Sequence, residues 1–166
     1  LLPSYSLPGF NYRMTDIQGA LGAVQMTRLA FLLSERKRCA DFYAEQLKDV
    51  SWLRLPAAPS HQVHSWQSYV ALFAPEEPTL GTVEKLNAER NRLMETLADN
   101  GVSTRQGTHA PAHLDFYRDK YSIRLEDLPN SWLADRLTLA LPVFPGITVE
   151  QLNHVAEQIK AFQPSL

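Results

Sequence analysis

The feature that most constrains this chain is a long amphipathic helix that begins with its own cap. Thr15 is followed three residues later by Gln18, the spacing of a capping box, in which the threonine hydroxyl and the glutamine amide satisfy free backbone donors at a helix start. From Asp16 onward Ile17, Leu21, Val24, Leu29, Leu32, Leu33, Ala40, Tyr43 and Leu47 recur at threes and fours, which lays one apolar stripe along a helix. The pattern predicts a helix from Asp16 to about Lys48. At 1.5 Å per residue such a helix is roughly 50 Å long, more than a domain of this size is wide, so part of it is expected to pack on a neighbouring domain or subunit. Gly19, Ala20, Gly22 and Ala23 would permit close backbone approach there.

The rest of the chain is ordinary globular sequence. With 166 residues and 45% hydrophobic content it can bury a core, as one domain with an appended arm. A net charge of −2 leaves no electrostatic footprint for nucleic acid or an anionic membrane, so neither is expected as a partner. No run approaches the roughly 20 apolar residues needed to cross a bilayer, so a soluble, cytoplasmic protein is expected. The single cysteine, Cys39, excludes an internal disulfide; its place in the apolar pattern suits a small buried hydrophobe in a reducing compartment.

Residues 1–14 hold two prolines and a glycine without periodicity and read as an extended arm that needs something to pack on. Trp52 to Ser65 is proline-rich and reads as a loop. Ser65 to Ala74 alternates around Trp66, Tyr69, Ala71 and Phe73, which predicts a strand stopped by Pro75 and Pro78. A second helix is expected from Thr82 to Asn100, with Asn100-Gly101 as its stop. A short strand is expected at Val102 to Arg105, a loop at His109 to Tyr121, a short helix at Leu128 to Arg136 and a buried strand at Thr138 to Leu141. Thr148 and Gln151 repeat the capping-box spacing before a last helix along Leu152, Val155, Ile159 and Phe162. The order describes an α+β unit whose sheet is covered by helices, divided into an arm (1–14), a connecting helix (15–50) and a small domain (51–166).

Two groups of residues could carry chemistry. Asn11 and Arg13, two apart in an extended arm, can present an amide and a guanidinium to the same side, a pair suited to phosphate, although a polar turn ahead of a helix has the same composition. The run Thr104-Arg105-Gln106-Gly107-Thr108-His109-Ala110-Pro111-Ala112-His113, followed by Tyr117, has the close order of prolines, histidines and aromatics found in ligand-facing loops and also in plain ones. His61 and His64 have H-x-x-H spacing but no acidic or thiolate ligand nearby, so no metal site is expected. No serine lies in a nucleophile elbow, the glycines form no phosphate loop, and Glu76-Glu77 and Glu126-Asp127 are solvated pairs in turns.

The run Gly9-Phe10-Asn11-Tyr12-Arg13-Met14-Thr15 resembles the G-[FY]-N-[YF]-R-M-T segment of the DegT/DnrJ/EryC1/StrS family, pyridoxal-phosphate-dependent aminotransferases acting on nucleotide-activated sugars. The likeness continues through the Trp66 to Tyr69 strand, the His109 to Tyr117 loop and Leu141-Pro142 before the last helix. It implies the small carboxy-terminal domain of a fold-type I enzyme, with a mainly antiparallel sheet, a large cofactor domain outside this sequence, and a homodimer. By the same resemblance Asn11 reaches the cofactor phosphate of the partner subunit, and Arg13 holds the substrate's diphosphate. Arg105, His109 and His113 border the substrate, with loop packing and helix capping the other reading of these three. The family's cofactor lysine lies upstream of the first motif, so no catalytic residue is expected within this chain and the piece alone is expected to be inactive. The family also contains dehydratases with histidine in place of that lysine. A non-catalytic regulatory or assembly module is the reading from another class.

Overall fold

The first cap forms as its spacing dictates. The Thr15 hydroxyl accepts from the Gln18 N–H at 3.3 Å, and Gln18 Oε1 accepts from the Thr15 N–H at 3.0 Å, which starts helix α1 (Asp16–Thr27). The structure is a computed structural model that describes Phe10 and residues 12–165. The helix does not run unbroken to Lys48. Thr27 turns its hydroxyl back to the Val24 carbonyl at 2.7 Å, and the Arg28 N–H reaches the Gln25 carbonyl at 3.0 Å, so the ladder tightens by one turn before helix α2 (Leu29–Gln46) resumes. A hydroxyl bonded to its own helix backbone competes with the regular ladder and bends it.

The break divides the apolar stripe. α1 buries no residue, and Ile17, Leu21 and Met26 stand 76%, 64% and 65% exposed. α2 turns Cys39, Ala40 and Tyr43 into the core, and the Tyr43 hydroxyl donates to the Pro142 carbonyl at 2.9 Å.

Four short strands make one antiparallel sheet in the order β1-β2-β4-β3, with β1 at Leu53–Arg54, β2 at Tyr69–Phe73, β3 at Arg105–Gln106 and β4 at Thr138–Leu141. The register pairs Leu53 with Phe73, Ala71 with Leu139 and Tyr69 with Leu141, so these six side chains share one buried face. They pack in a single cluster with Leu86, Leu93 and Leu97 of helix α3 (Val83–Asp99), with α2, and with Leu152, Val155 and Ile159 of helix α6 (Val149–Ala161). The opposite face carries Val70, Leu72, Ala140 and Arg105, which are half-buried or exposed. An α+β unit with its helices on a small antiparallel sheet is therefore the fold.

Three elements differ from the sequence expectation. β1 lies inside the expected Trp52–Ser65 loop, β3 begins at Arg105 rather than Val102, and a seven-residue helix, α4 (Asp115–Tyr121), interrupts the expected loop before helix α5 (Pro129–Leu137). The stop of α3 is as expected. Gly101 takes φ +78°, and the Val102 N–H returns to the Leu97 carbonyl at 2.8 Å. Among the described residues no helix is long and apolar enough to cross a membrane.

Two outcomes follow. The Thr148 hydroxyl accepts from the Gln151 N–H at 3.2 Å to cap α6, so Thr148→Ala should cost about 1 kcal/mol, read as a lowered urea midpoint with an unchanged slope. Cys39 is fully buried, and burial pushes its thiol pKa up. The native protein should leave a thiol reagent such as DTNB unreacted near neutral pH, with one equivalent consumed on denaturation.

Candidate functional site

The candidate site is a turn that hangs from the edge of the sheet. β3 ends at Gln106, and Gly107 then lies flat on the neighbouring strands, its N–H donating to the Thr138 carbonyl at 3.3 Å. A Cβ at Gly107 would collide with Val70 Cγ1 and the Thr138 side chain, so only glycine lets the backbone come this close.

Both ends of the turn are tied to one carboxylate. Gln106 Nε2 donates to Asp135 Oδ1 at 2.8 Å, and the Ala110 N–H donates to Asp135 Oδ2 at 2.7 Å. Hydrogen bonds to an ionised carboxylate are about twice as strong as neutral ones, so this clasp fixes the turn more firmly than its own backbone could. Gln106 Nε2 also donates to the Thr108 carbonyl at 2.8 Å and lies 3.3 Å from His109 Nδ1. Thr108 and His109 are held at the exposed tip.

α5 carries the clasp and is itself fixed from below. The Arg136 carbonyl, at the last turn of α5, accepts from Asn87 Nδ2 at 2.6 Å and from Arg90 Nε at 3.0 Å. Arg90 is only 4% exposed. Its burial is the main reason its pKa lies below the usual arginine range, with the Arg136 charge adding to that and Asp135 opposing it. The Arg136 guanidinium leans over the Trp132 ring at 5.3 Å and pairs with Glu84 at 2.9 Å.

The sequence candidates fall in separate places. Arg105 is exposed on β3 opposite Ala140, and His109 is exposed on the turn that follows. His113 is half-buried: its ring meets Trp132 edge-on at 5.3 Å, and Nε2 lies 3.4 Å from the Leu128 carbonyl, an acceptor, so that nitrogen donates. This contact joins the loop to the start of α5. Arg13 is exposed in the arm ahead of α1, and Asn11 lies outside the described residues. The structure thus places Arg105 on β3 and His109 on the turn after it, and gives His113 a packing partner. Gln106 and Asp135 carry no mark in the sequence reading. Gln106 sits inside the quoted run without an assigned role, and Asp135 follows it by 29 residues with no local signal.

Elsewhere His64 Nδ1 accepts from the Trp66 N–H at 2.9 Å, and the exposed His154 bonds the Asn100 carbonyl at 2.8 Å. Among the described residues there is no group of three or more His, Cys, Asp or Glu able to hold a metal ion. The sequence holds five lysines. Lys37, Lys48 and Lys85 pair with Asp41, Glu45 and Glu76, each at 2.6 Å. Lys160 donates to Gln46 at 3.1 Å, and Lys120 lies over the Phe116 and Tyr121 rings.

A sequence model of the DegT/DnrJ/EryC1/StrS aminotransferase family matches residues 3–160. The uncharacterized protein MJ1066 of Methanocaldococcus jannaschii is 28% identical over 155 residues, which cover 92% of this chain and 37% of that protein. Among solved structures, Spr1654 of Streptococcus pneumoniae, described as a sugar aminotransferase, superposes in its apo form with a TM-score of 0.76 at 22% identity, over 93% of this chain and 36% of its own. Its PLP and PMP forms match with a TM-score of 0.75. PseC of Helicobacter pylori, an aminotransferase of pseudoaminic acid biosynthesis, gives 0.74 at 19% identity over 95% of this chain and 39% of its own. The chain spans little more than a third of the length of these relatives, and the likeness to the solved structures is one of fold.

Gly107→Ala tests the close approach. Forcing a methyl against Val70 and Thr138 should destabilise by about 1–3 kcal/mol, the usual cost of overpacking. Amide hydrogen exchange should accelerate at Thr108–Ala110 before it does in the core.

Proposed function

The chain belongs to the DegT/DnrJ/EryC1/StrS aminotransferase family, and from that premise we propose that it is the carboxy-terminal domain of an enzyme that moves an amino group, taken from glutamate, onto a nucleotide-linked keto-sugar. The aminotransferases of this family depend on pyridoxal phosphate, which when bound supplies the electron sink through which amino groups are exchanged. The lysine that anchors it and most of its phosphate cradle belong, in this reading, to a large domain outside the present sequence. The product sugar enters a cell-surface polysaccharide or a natural product, and the enzyme works in the cytoplasm as a homodimer.

This domain's part is to bind and to enclose. Asn11 donates to the cofactor phosphate held by the partner subunit. Arg13, a bidentate donor suited to phosphate, holds the diphosphate of the nucleotide sugar. Arg105 and His109 face the sugar or its phosphates from the pinned turn, and His113 backs that turn against Trp132. The bare apolar stripe of α1 packs on the large domain or on the second subunit. The observation that carries the reading is the Gln106–Ala110 turn, which is clasped at both ends by Asp135 and presents polar donors outward on a fold shared with aminotransferases.

The test uses the full-length protein. Adding pyridoxal phosphate should give a band near about 400 nm, and borohydride should trap it on a lysine outside these 166 residues. Trapping that fails while the band forms would favour the dehydratase branch. The 166-residue piece alone should neither bind the cofactor nor transaminate. Arg13→Ala in the full-length enzyme should raise KM for the nucleotide sugar about tenfold or more while changing kcat less, because a bond to a charged group is lost in binding. An unchanged KM would remove Arg13 from the substrate site.

A further inference from the structure

The side-chain amide of Gln106 has two protons, and both are spent inside the turn. One goes to Asp135 Oδ1 and the other to the Thr108 carbonyl, each at 2.8 Å. Asp135 in turn faces donors at both of its oxygens, Gln106 at Oδ1 and the Ala110 N–H at Oδ2. Only a group that accepts at both ends satisfies this arrangement. An asparagine would set its NH2 against one of the two donors. Turning the Gln106 amide over does not rescue it, because the amide oxygen would then face the Thr108 carbonyl.

The same count leaves two backbone donors over. The Gly107 N–H is bonded to the Thr138 carbonyl and the Ala110 N–H to Asp135. Between them, the N–H groups of Thr108 and His109 have no hydrogen-bond partner among the described residues, and both residues are exposed. A backbone N–H is a strong donor that needs an acceptor, from water or from a ligand. These two are adjacent, they lie on a turn anchored at both ends, and the strand that leads into it carries the exposed Arg105. Backbone N–H groups and a guanidinium alike donate to oxyanions.

We infer that the N–H groups of Thr108 and His109 bind a phosphate oxygen of the nucleotide sugar, and that Asp135 is the positioning residue that holds them in place for it. The inference rests on the reading of this turn as substrate-facing. Asp135 touches neither substrate nor cofactor in this account. It restrains the turn before binding, so that the tip does not have to be ordered when the ligand arrives.

The test uses the full-length protein with UDP, dTDP and GDP as probes, followed by amide NMR with nitrogen-15 threonine and histidine and by calorimetry. Thr108→Ser and His109→Gln assign the two signals. In the wild type the Thr108 and His109 amide protons should move downfield as the best of the three probes saturates. Asp135→Asn should shrink that movement and raise Kd about tenfold, the equivalent of ordering one backbone residue. The absorption band of added pyridoxal phosphate should be unchanged, which a general loss of structure would not allow. Gln106→Met removes both side-chain bonds of Gln106 but keeps the Asp135 bond to Ala110, so it should raise Kd likewise and covers the case in which Asp135→Asn does not fold.

Arg13→Ala separates this inference from the reading beneath it. If that variant weakens the probe while the Thr108 and His109 amides stay unmoved, the nucleotide site stands and the backbone contact is wrong. If the amides move but neither Asp135→Asn nor Gln106→Met changes Kd, the positioning role is wrong. A wild type that binds none of the three probes would remove the reading and this inference with it.

Discussion

A single backbone carbonyl, that of Arg136, decides where the candidate site can be. It closes the last turn of α5 and receives two side-chain donors from α3, Asn87 at 2.6 Å and the buried Arg90 at 3.0 Å. Taking a guanidinium out of water is costly, and among the described residues no carboxylate is bonded to it to offset the loss. What the arrangement secures is position: with the carbonyl held by α3, the adjacent Asp135 is kept within hydrogen-bond reach of the turn after β3. The helix end, the clasp and the exposed tip form one chain of contacts. A shift of α5 would be felt at His109 through Gln106 and Ala110.

Features built from short-range chemistry were legible in the sequence. Both capping boxes, Thr15 with Gln18 and Thr148 with Gln151, form at the residues their spacing marks, because every atom involved lies within one helical turn. β2 and β4 were legible because alternation along Tyr69–Phe73 and the apolar run at Thr138–Leu141 demand burial on a sheet. β1 was not. Its two residues are a strand only because Leu53 and Arg54 lie opposite Phe73 and Leu72, a fact about the partner rather than about the segment. The seven residues of α4 span too few turns for a period to emerge from their aromatics.

The clasp was illegible for a related reason. Asp135 is a polar residue of an amphipathic helix, indistinguishable by pattern from any solvated acid, and its partners lie 25 and 29 residues earlier in the chain. Its role exists only once the sheet has brought β3 beside β4 and so placed the two segments together. The run from Thr104 to His113 drew the eye to histidines, yet in the structure the residue that organises it is a glutamine. Its amide does what no histidine could, donating two protons from one atom to acceptors on different elements.

The break at Arg28 falls where the surroundings of the stripe change, and this gives the long helix its meaning. α2 is held by the core beneath it, with Cys39 and Tyr43 wholly buried, whereas α1 gains nothing from this domain beyond continuity of the chain. Exposed apolar surface costs roughly 25 cal/mol per Å², so Ile17, Leu21 and Val24 standing open on one face are a burden that a covering surface would remove. A continuous rod would tie the orientation of α1 rigidly to the small domain. The Thr27 hydroxyl bonds the Val24 carbonyl and the ladder tightens at Arg28, so the run is interrupted between α1 and the core-held α2. The arm with Arg13 precedes α1 directly, so the angle at this break also sets where that guanidinium can reach relative to Arg105 on β3 and the turn that carries His109.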